Sequence, residues 1–304
     1  MDTQQLDWID SPPAEAVRGV IERAASADGT APVSEQAVHA LAGTGATRHL
    51  VCTADGSVVG YAQLEPGHGD HPAMAEVVVD PAARGAGIGT QLVAEVLRAG
   101  GPGTRVWAHG NSPAAVAVAH RLGLVAAREL LQLRRSLTTP ELPDVVVPDG
   151  VSLRTYRGPE DDAELLRVNA AAFEWHPEQG SWTEHEIAER RAEPWFDPEG
   201  LFLAFPTAAD ADADRLLGFH WTKMHAPENG NPALGEVYVV GIDPDAQGRG
   251  LGRVLTLAGL HHLRDRGPAT VLLYVEGDNT AALRTYGRLG FERFHVDVAY
   301  AAGA

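Results

Sequence analysis

The chain has 304 residues, 44% of them hydrophobic, which is enough for two domains of about 150 residues, each with its own core. Its 24 basic against 41 acidic residues leave a formal charge of −17, which opposes nucleic-acid phosphates and anionic lipid and admits a cationic substrate. No apolar run approaches the roughly 20 residues of a membrane span, the first residues lack a signal-peptide pattern, and the lone Cys52 excludes a disulfide framework and points to a reducing cytoplasm.

In chain order, Val17, Val20 and Ile21 at helical spacing predict a helix around residues 14–25. Residues 51–53 and 58–64, separated by Ala54-Asp55-Gly56-Ser57, predict a β-hairpin. The apolar strand Val77-Val78-Val79 then meets Asp80-Pro81 and a glycine-rich turn, Arg84-Gly85-Ala86-Gly87-Ile88-Gly89, followed by a helix over 91–99. A strand at 105–108 and a helix at 114–122 complete the first unit. The stretch from Thr138 to Asp144, with Pro148-Asp149-Gly150 after it, reads as a linker.

The same order recurs beyond it: a strand (151–156), a helix (160–172) and paired strands at 201–205 and 215–224 around an acidic loop at Asp210–Asp214. A strand at 235–242 runs into Asp243-Pro244 and a second turn, Gln247-Gly248-Arg249-Gly250-Leu251-Gly252. A helix (251–266), a strand (271–275), a helix (280–289) and a closing strand (296–300) follow. Gly89 aligns with Gly252 at an offset of 163 residues, and Asp80-Pro81 then falls on Asp243-Pro244 without a gap. His109-Gly110-Asn111-Ser112 likewise matches Glu276-Gly277-Asp278-Asn279, at an offset of 167. The chain is a tandem duplication, with expected domains at 1–140 and 150–304. Each turn sets backbone N–H groups at a helix N-terminus, where they can hold a phosphate.

A dinucleotide-binding Rossmann unit requires its glycines directly after the first strand, whereas here they follow a late strand. They also read Arg/Gln-x-x-Gly-x-Gly, and the second copy is followed by Asn279-Thr280-Ala281-Ala282-Leu283-Arg284-Thr285-Tyr286. In these two signatures the chain resembles the GCN5-related N-acetyltransferases (GNAT). That resemblance implies an α/β (α+β) fold of two tandem GNAT domains. Each has a central mixed, mostly antiparallel sheet flanked by helices, with a splayed strand that binds acetyl-CoA. It implies cofactor contacts from Val240, Gly241, Ile242, the turn Gln247 to Leu251 with Gly252 and Arg253, and Asn279 to Arg284. In the first half the matching contacts are Val77, Val78, Val79, Arg84, Gly85, Ala86, Gly87, Ile88 and Gly89.

Further segments, among them His176-Pro177-Glu178-Gln179-Gly180, Phe219-His220-Trp221-Thr222-Lys223 and Leu272-Leu273-Tyr274-Val275-Glu276, are similar to the tandem acetyltransferases of mycothiol synthesis. The similarity covers almost the whole chain. It implies a small-molecule acceptor, a cysteine–glucosamine–inositol conjugate acetylated on its cysteinyl amine. It also implies acceptor contacts from Glu35, Glu178, Lys223, Glu236 and Tyr274, the last at the end of a buried strand.

Acetyl transfer to an amine requires a base for the ammonium proton and benefits from an acid for the departing thiolate. Glu236, at the start of the strand before the second turn, is the expected base, and Tyr286 the expected acid. The repeat alignment sets Ala73 opposite Glu236 at the offset of 163 and Ala119 opposite Tyr286 at the offset of 167, which assigns catalysis to the C-terminal half and leaves the N-terminal half as a degenerate copy able to bind acetyl-CoA. Adjacent His261-His262 point about 100° apart on a helix, and His220 and His225 face opposite sides of a strand, so no metal site is expected. A monomer is expected. Two other readings stay open: acetylation of another amine (a protein N-terminus, a polyamine or an aminoglycoside), and a non-catalytic acetyl-CoA sensor.

Overall fold

The computed structural model describes residues 4–43, 45–69, 71–174, 177–207, 214–227 and 232–303, with only the backbone described at 177 and 178. The acidic loop expected at 210–214 lies almost wholly outside these residues. The chain forms two compact units: Met1–Leu131 with Glu276–Asp278 and His295–Ala304, and Gln132–Val275 with Asn279–Phe294.

In unit 1, strands β1 (Gln5–Ile9), β2 (Arg48–Ala54), β3 (Ser57–Glu65) and β4 (Met74–Val79) pair antiparallel in sequence order, and β5 (Arg105–Ala108) joins β4 in parallel. Alternating side chains feed two cores, as a sheet covered on both faces requires. On one face α1 (Ala14–Asp28) and α2 (Glu35–Ala40) bury Val17, Val20, Ile21 and Ala37 against Val51, Tyr61 and Val78. On the other, α3 (Ile88–Gly100) buries Ile88, Leu92 and Val96 against Leu50, Cys52, Ala62 and Leu64. Helix α4 (Pro113–Arg121) follows β5, and strand β6 (Leu124–Ser136) starts in this unit.

Unit 2 repeats the plan. Strands β7 (Val151–Thr155), β8 (Leu201–Pro206), β9 (Gly218–His225) and β10 (Leu234–Ile242) pair antiparallel, and β11 (Thr270–Glu276) joins β10 in parallel. On one face, among helices α5 (Asp162–Ala172), α6 (Pro177–Gly180) and α7 (Glu184–Ala192), Leu165, Val168 and Ile187 pack on Leu201, Phe219, Trp221 and Val239. On the other lies α8 (Leu251–Asp265), whose Leu251 and Leu255 pack on Ala204 and Leu217. Gly259 of α8 abuts the fully buried His220 ring, leaving no space for a Cβ. Helix α9 (Thr280–Arg288) completes the unit, and strand β12 (Glu292–Ala302) leaves it to pair antiparallel with β5 in unit 1 through Val298–Tyr300.

Candidate active site

Both turns are built alike. Asp243 Oδ1 accepts from Asp245 N at 3.0 Å, and Arg167 and Arg215 hold its other oxygen at 2.7 and 3.2 Å. Burial pushes the Asp243 carboxyl up, but the hydrogen bonds from Arg167, Asp245 N and Arg215 and the Arg167 charge together outweigh it and hold the group below its ordinary range. In unit 1, Asp80 accepts from Ala82 N at 3.0 Å and from Arg23 at 2.6 Å. Gly250 (φ 79°) and Gly87 (φ 84°) stand at the starts of α8 and α3 in the left-handed region, with no side-chain cap. Helix geometry leaves the amides of Leu251, Gly252 and Arg253 without an intrahelical acceptor, and a Cβ added at Gly248 or Gly250 would meet only open space. This cradle fits a pyrophosphate.

The strands ahead of the turns splay. β10 pairs with β11 at Gly235–Val271 and Glu236–Leu272, and β4 pairs with β5 from Met74–Arg105 to Glu76–Trp107, although all four strands run on. Backbone past those points is open for the extended arm of acetyl-CoA. In unit 1 a cavity of about 430 Å³ is lined by Val77 to Val79, Arg84, Gly85, Gly87, Ile88 and Gly89, though not by Ala86, and also by His109 and Tyr300. Arg84 does not reach into it freely, since it forms a two-pronged pair with Asp28 at 2.7 Å.

Glu236 sits where the β10–β11 pairing ends, 7% exposed. It lies opposite Lys223 on β9, and His225 stands two residues further along, its Nε2 at 2.6 Å from Glu236 Oε2. Lys223 Nζ rests over the rings of Trp195 and Tyr238 at 4.9 and 5.4 Å. Tyr274, two residues along β11 from Leu272, projects from the same face of the sheet. It was expected at the end of a buried strand, but its side chain is 49% exposed: the strand is buried around it, and Tyr274 alone faces outward. Gln132 donates to its hydroxyl at 2.6 Å, Arg134 donates to Gln132 at 2.9 Å, and Arg134 stacks over Phe294 at 3.5 Å. Sequence reasoning missed these last three residues, because only strand pairing brings 132–134 beside 274 and 294.

Tyr286 lies on α9, edge-on to Phe291 at 5.7 Å, and burial pushes its hydroxyl up to about 12, so it keeps its proton at neutral pH. Asn279 caps α9 by accepting from Ala282 N at 3.1 Å, as Ser112 caps α4 by accepting from Ala115 N at 3.2 Å. Glu35 is exposed in the first turn of α2, in unit 1. The side chain of Glu178 lies outside the described residues.

The repeat alignment needs one correction. β10 carries a bulge between Val237 and Val239 that β4 lacks, so strand register sets Met74, not Ala73, in the place of Glu236. Unit 1 still has no carboxylate at that position. It has one two residues on: Glu76, 8% exposed, accepts from Ser34 N and Oγ at 2.6 and 2.7 Å. His109 lies between Glu76 (3.3 Å) and Asp297 (3.4 Å). Burial alone would lower His109, but the two carboxylates raise it to about 9, so it is an imidazolium at neutral pH. No spacing rule links residues 76, 109 and 297, and the sequence signal for the cluster was absent.

The sequence matches the Acetyltransferase (GNAT) family over residues 17–124 and 168–291. It is 70% identical over 297 residues to the "Mycothiol acetyltransferase" of Rhodococcus jostii (97% of this chain, 96% of that protein). It is 60% identical over 289 residues to that of Mycolicibacterium smegmatis (94% of each). Among solved structures, a GCN5-related N-acetyltransferase from Sphaerobacter thermophilus shares the fold at 23% identity and a TM-score of 0.71, covering 97% of this chain and 94% of that one. A tandem GNAT protein from the clavulanic acid biosynthesis pathway does so at 20% identity and 0.66, covering 99% of each. The chain belongs to the GCN5-related N-acetyltransferases and, within them, to the mycothiol acetyltransferases.

Proposed function

We propose that this chain moves the acetyl group of acetyl-CoA to the cysteinyl amine of the cysteine–glucosamine–inositol conjugate, the last step to mycothiol, and that unit 2 performs the chemistry. The observation that carries this reading is Glu236, a nearly buried carboxylate at the mouth of the β10–β11 splay, in a chain so similar to proteins of that name. The repeats, 1–140 and 150–304, are then two acetyltransferase domains, of which the first keeps an acetyl-CoA turn without the proton-transfer pair. A monomer suffices for this arrangement.

The amides of the second turn, with Gln247 to Arg253, hold the pyrophosphate, and Val240 to Ile242 pair with the pantetheine arm. Asn279 to Arg284 border the thioester. Glu236 takes the ammonium proton, directly or through water, and the amine attacks the acetyl carbon. An amide of the open strand stabilises the oxyanion. The thiolate takes the proton of Tyr286, which burial keeps in place. Lys223 and Tyr274 supply a donor and an aromatic edge for acceptor hydroxyls on the same face of the sheet, and the resemblance adds Glu178 and Glu35.

Tandem mass spectrometry of the product tests this reading. One acetyl on the cysteinyl nitrogen is expected, with formation lost in Glu236→Gln. An acetyl on the sulfur or a hydroxyl, or undiminished product from Glu236→Gln, contradicts it.

A further inference from the structure

Glu236 exposes 10% of its side chain, so a proton taken from the acceptor has little direct route to water once the acceptor covers the face. Two polar side chains flank it on β9, and they are chemically unequal. Lys223 lies directly opposite, its ammonium over the Trp195 and Tyr238 rings; an ammonium offers only donors and relieves Glu236 of no proton. His225 pairs with Leu234, which puts it diagonally beside Glu236, with Nε2 at 2.6 Å from Oε2. Its side chain is 38% exposed. An imidazole accepts a proton on one ring nitrogen and releases one from the other, and this ring bridges the buried carboxylate and solvent.

The repeat gives an independent reason. Strand register aligns β9 with β3 so that Lys223 falls on Glu65, the last residue of β3, and the same offset carried two residues past the strand gives Gly67 in the place of His225. Unit 1, which has Met74 in the place of Glu236, therefore lacks the imidazole as well. At these two positions carboxylate and imidazole occur together in unit 2, and neither occurs in unit 1.

We propose that His225 is a positioning residue and the proton exit of unit 2: it orients the Glu236 carboxylate and clears its proton after each acetyl transfer. The proposal rests on Glu236 being the base. An N–H bond of the ammonium breaks as an O–H bond forms on Glu236. The amine lone pair forms the N–C bond to the acetyl carbon while the C–S bond breaks, and sulfur takes the Tyr286 proton. The Glu236 O–H bond then breaks as Nε2–H forms on His225. The nitrogen still carries two hydrogens once the N–C bond has formed, and it gives one of them through water to the Tyr286 phenolate, which restores the phenol. The imidazolium loses its Nδ1 proton to water and the ring returns to its Nδ1–H form by exchange with solvent, so one net proton leaves per acetyl moved.

The test is the steady-state rate of the full chain with acetyl-CoA and the conjugate, for His225→Gln, His225→Ala and, in parallel, Glu236→Gln, each with its thermal unfolding recorded. His225→Gln keeps a donor to Glu236 but carries no proton. It is expected to lower the rate about 10- to 100-fold while KM for the conjugate stays within twofold, and added imidazole is expected to restore most of the rate of His225→Ala. Full rate in His225→Gln, or no recovery of His225→Ala with imidazole, overturns the proposal. If instead Glu236→Gln keeps its rate, the base assignment itself fails, and the two failures are distinct.

Discussion

Glu236, Tyr286 and Gly250 contribute separable parts of the proposed reaction, and single substitutions distinguish them. Glu236→Gln preserves shape and a hydrogen-bond partner for His225 while removing the base, so kcat falls about 10²- to 10⁴-fold with KM for acetyl-CoA unchanged. Tyr286→Phe keeps the ring against Phe291 and removes only the proton, so it too lowers kcat and leaves unfolding unaltered. Gly250→Ala acts differently: its φ of 79° costs an alanine about 1–2 kcal/mol at the start of the helix that the cradle is built on. A higher KM for acetyl-CoA with kcat little changed is expected. Initial rates in both substrates check all three.

At the scale of elements, His109 fastens β12 to β4 and β5 as an imidazolium between Glu76 and Asp297, and Asp297 also accepts from Gly110 N at 2.8 Å. Because folding raises His109 from 6.5 to about 9, its contribution is fully present below pH 6.5 and is lost as pH rises through about 9. The shift corresponds to at most about 3 kcal/mol, shared with both carboxylates. The unfolding temperature should fall between pH 7 and pH 10, and His109→Gln should flatten that fall. Gly259→Ala drives a methyl into the His220 ring and should destabilise by about 1–3 kcal/mol, read by denaturant unfolding. The strand–turn–helix units at 74–100 and 234–265 were legible in the sequence, because apolar runs, Asp-Pro and paired glycines each have a local cause. Strands β1 and β6 and helices α2 and α7 were not anticipated. The 13-residue β6 alternates poorly, exposing residues 125–127 before burying 131–133, so it carries no clean period. The bulge in β10 was equally silent, and it moved the partner of Glu236 from Ala73 to Met74. Glu76, His109 and Asp297 came together only through strand pairing between distant segments.

The whole molecule is a duplication whose halves differ at the proposed catalytic positions. Both keep the aspartate-anchored turn with its left-handed glycines. Unit 2 has the Glu236–His225 pair where unit 1 has Met74 and Gly67, and unit 1 has instead the Glu76–His109–Asp297 cluster beside its cavity. Two acetyl-CoA equivalents per chain are expected by calorimetry, with Gly250→Ala weakening one of them. The most direct measurement is release of CoA from acetyl-CoA by the full chain with the cysteine–glucosamine–inositol conjugate, beside glucosamine–inositol lacking the cysteine. Turnover that requires the cysteinyl amine is the predicted result. Equal turnover with both acceptors, or turnover only with an unrelated amine, would contradict the account.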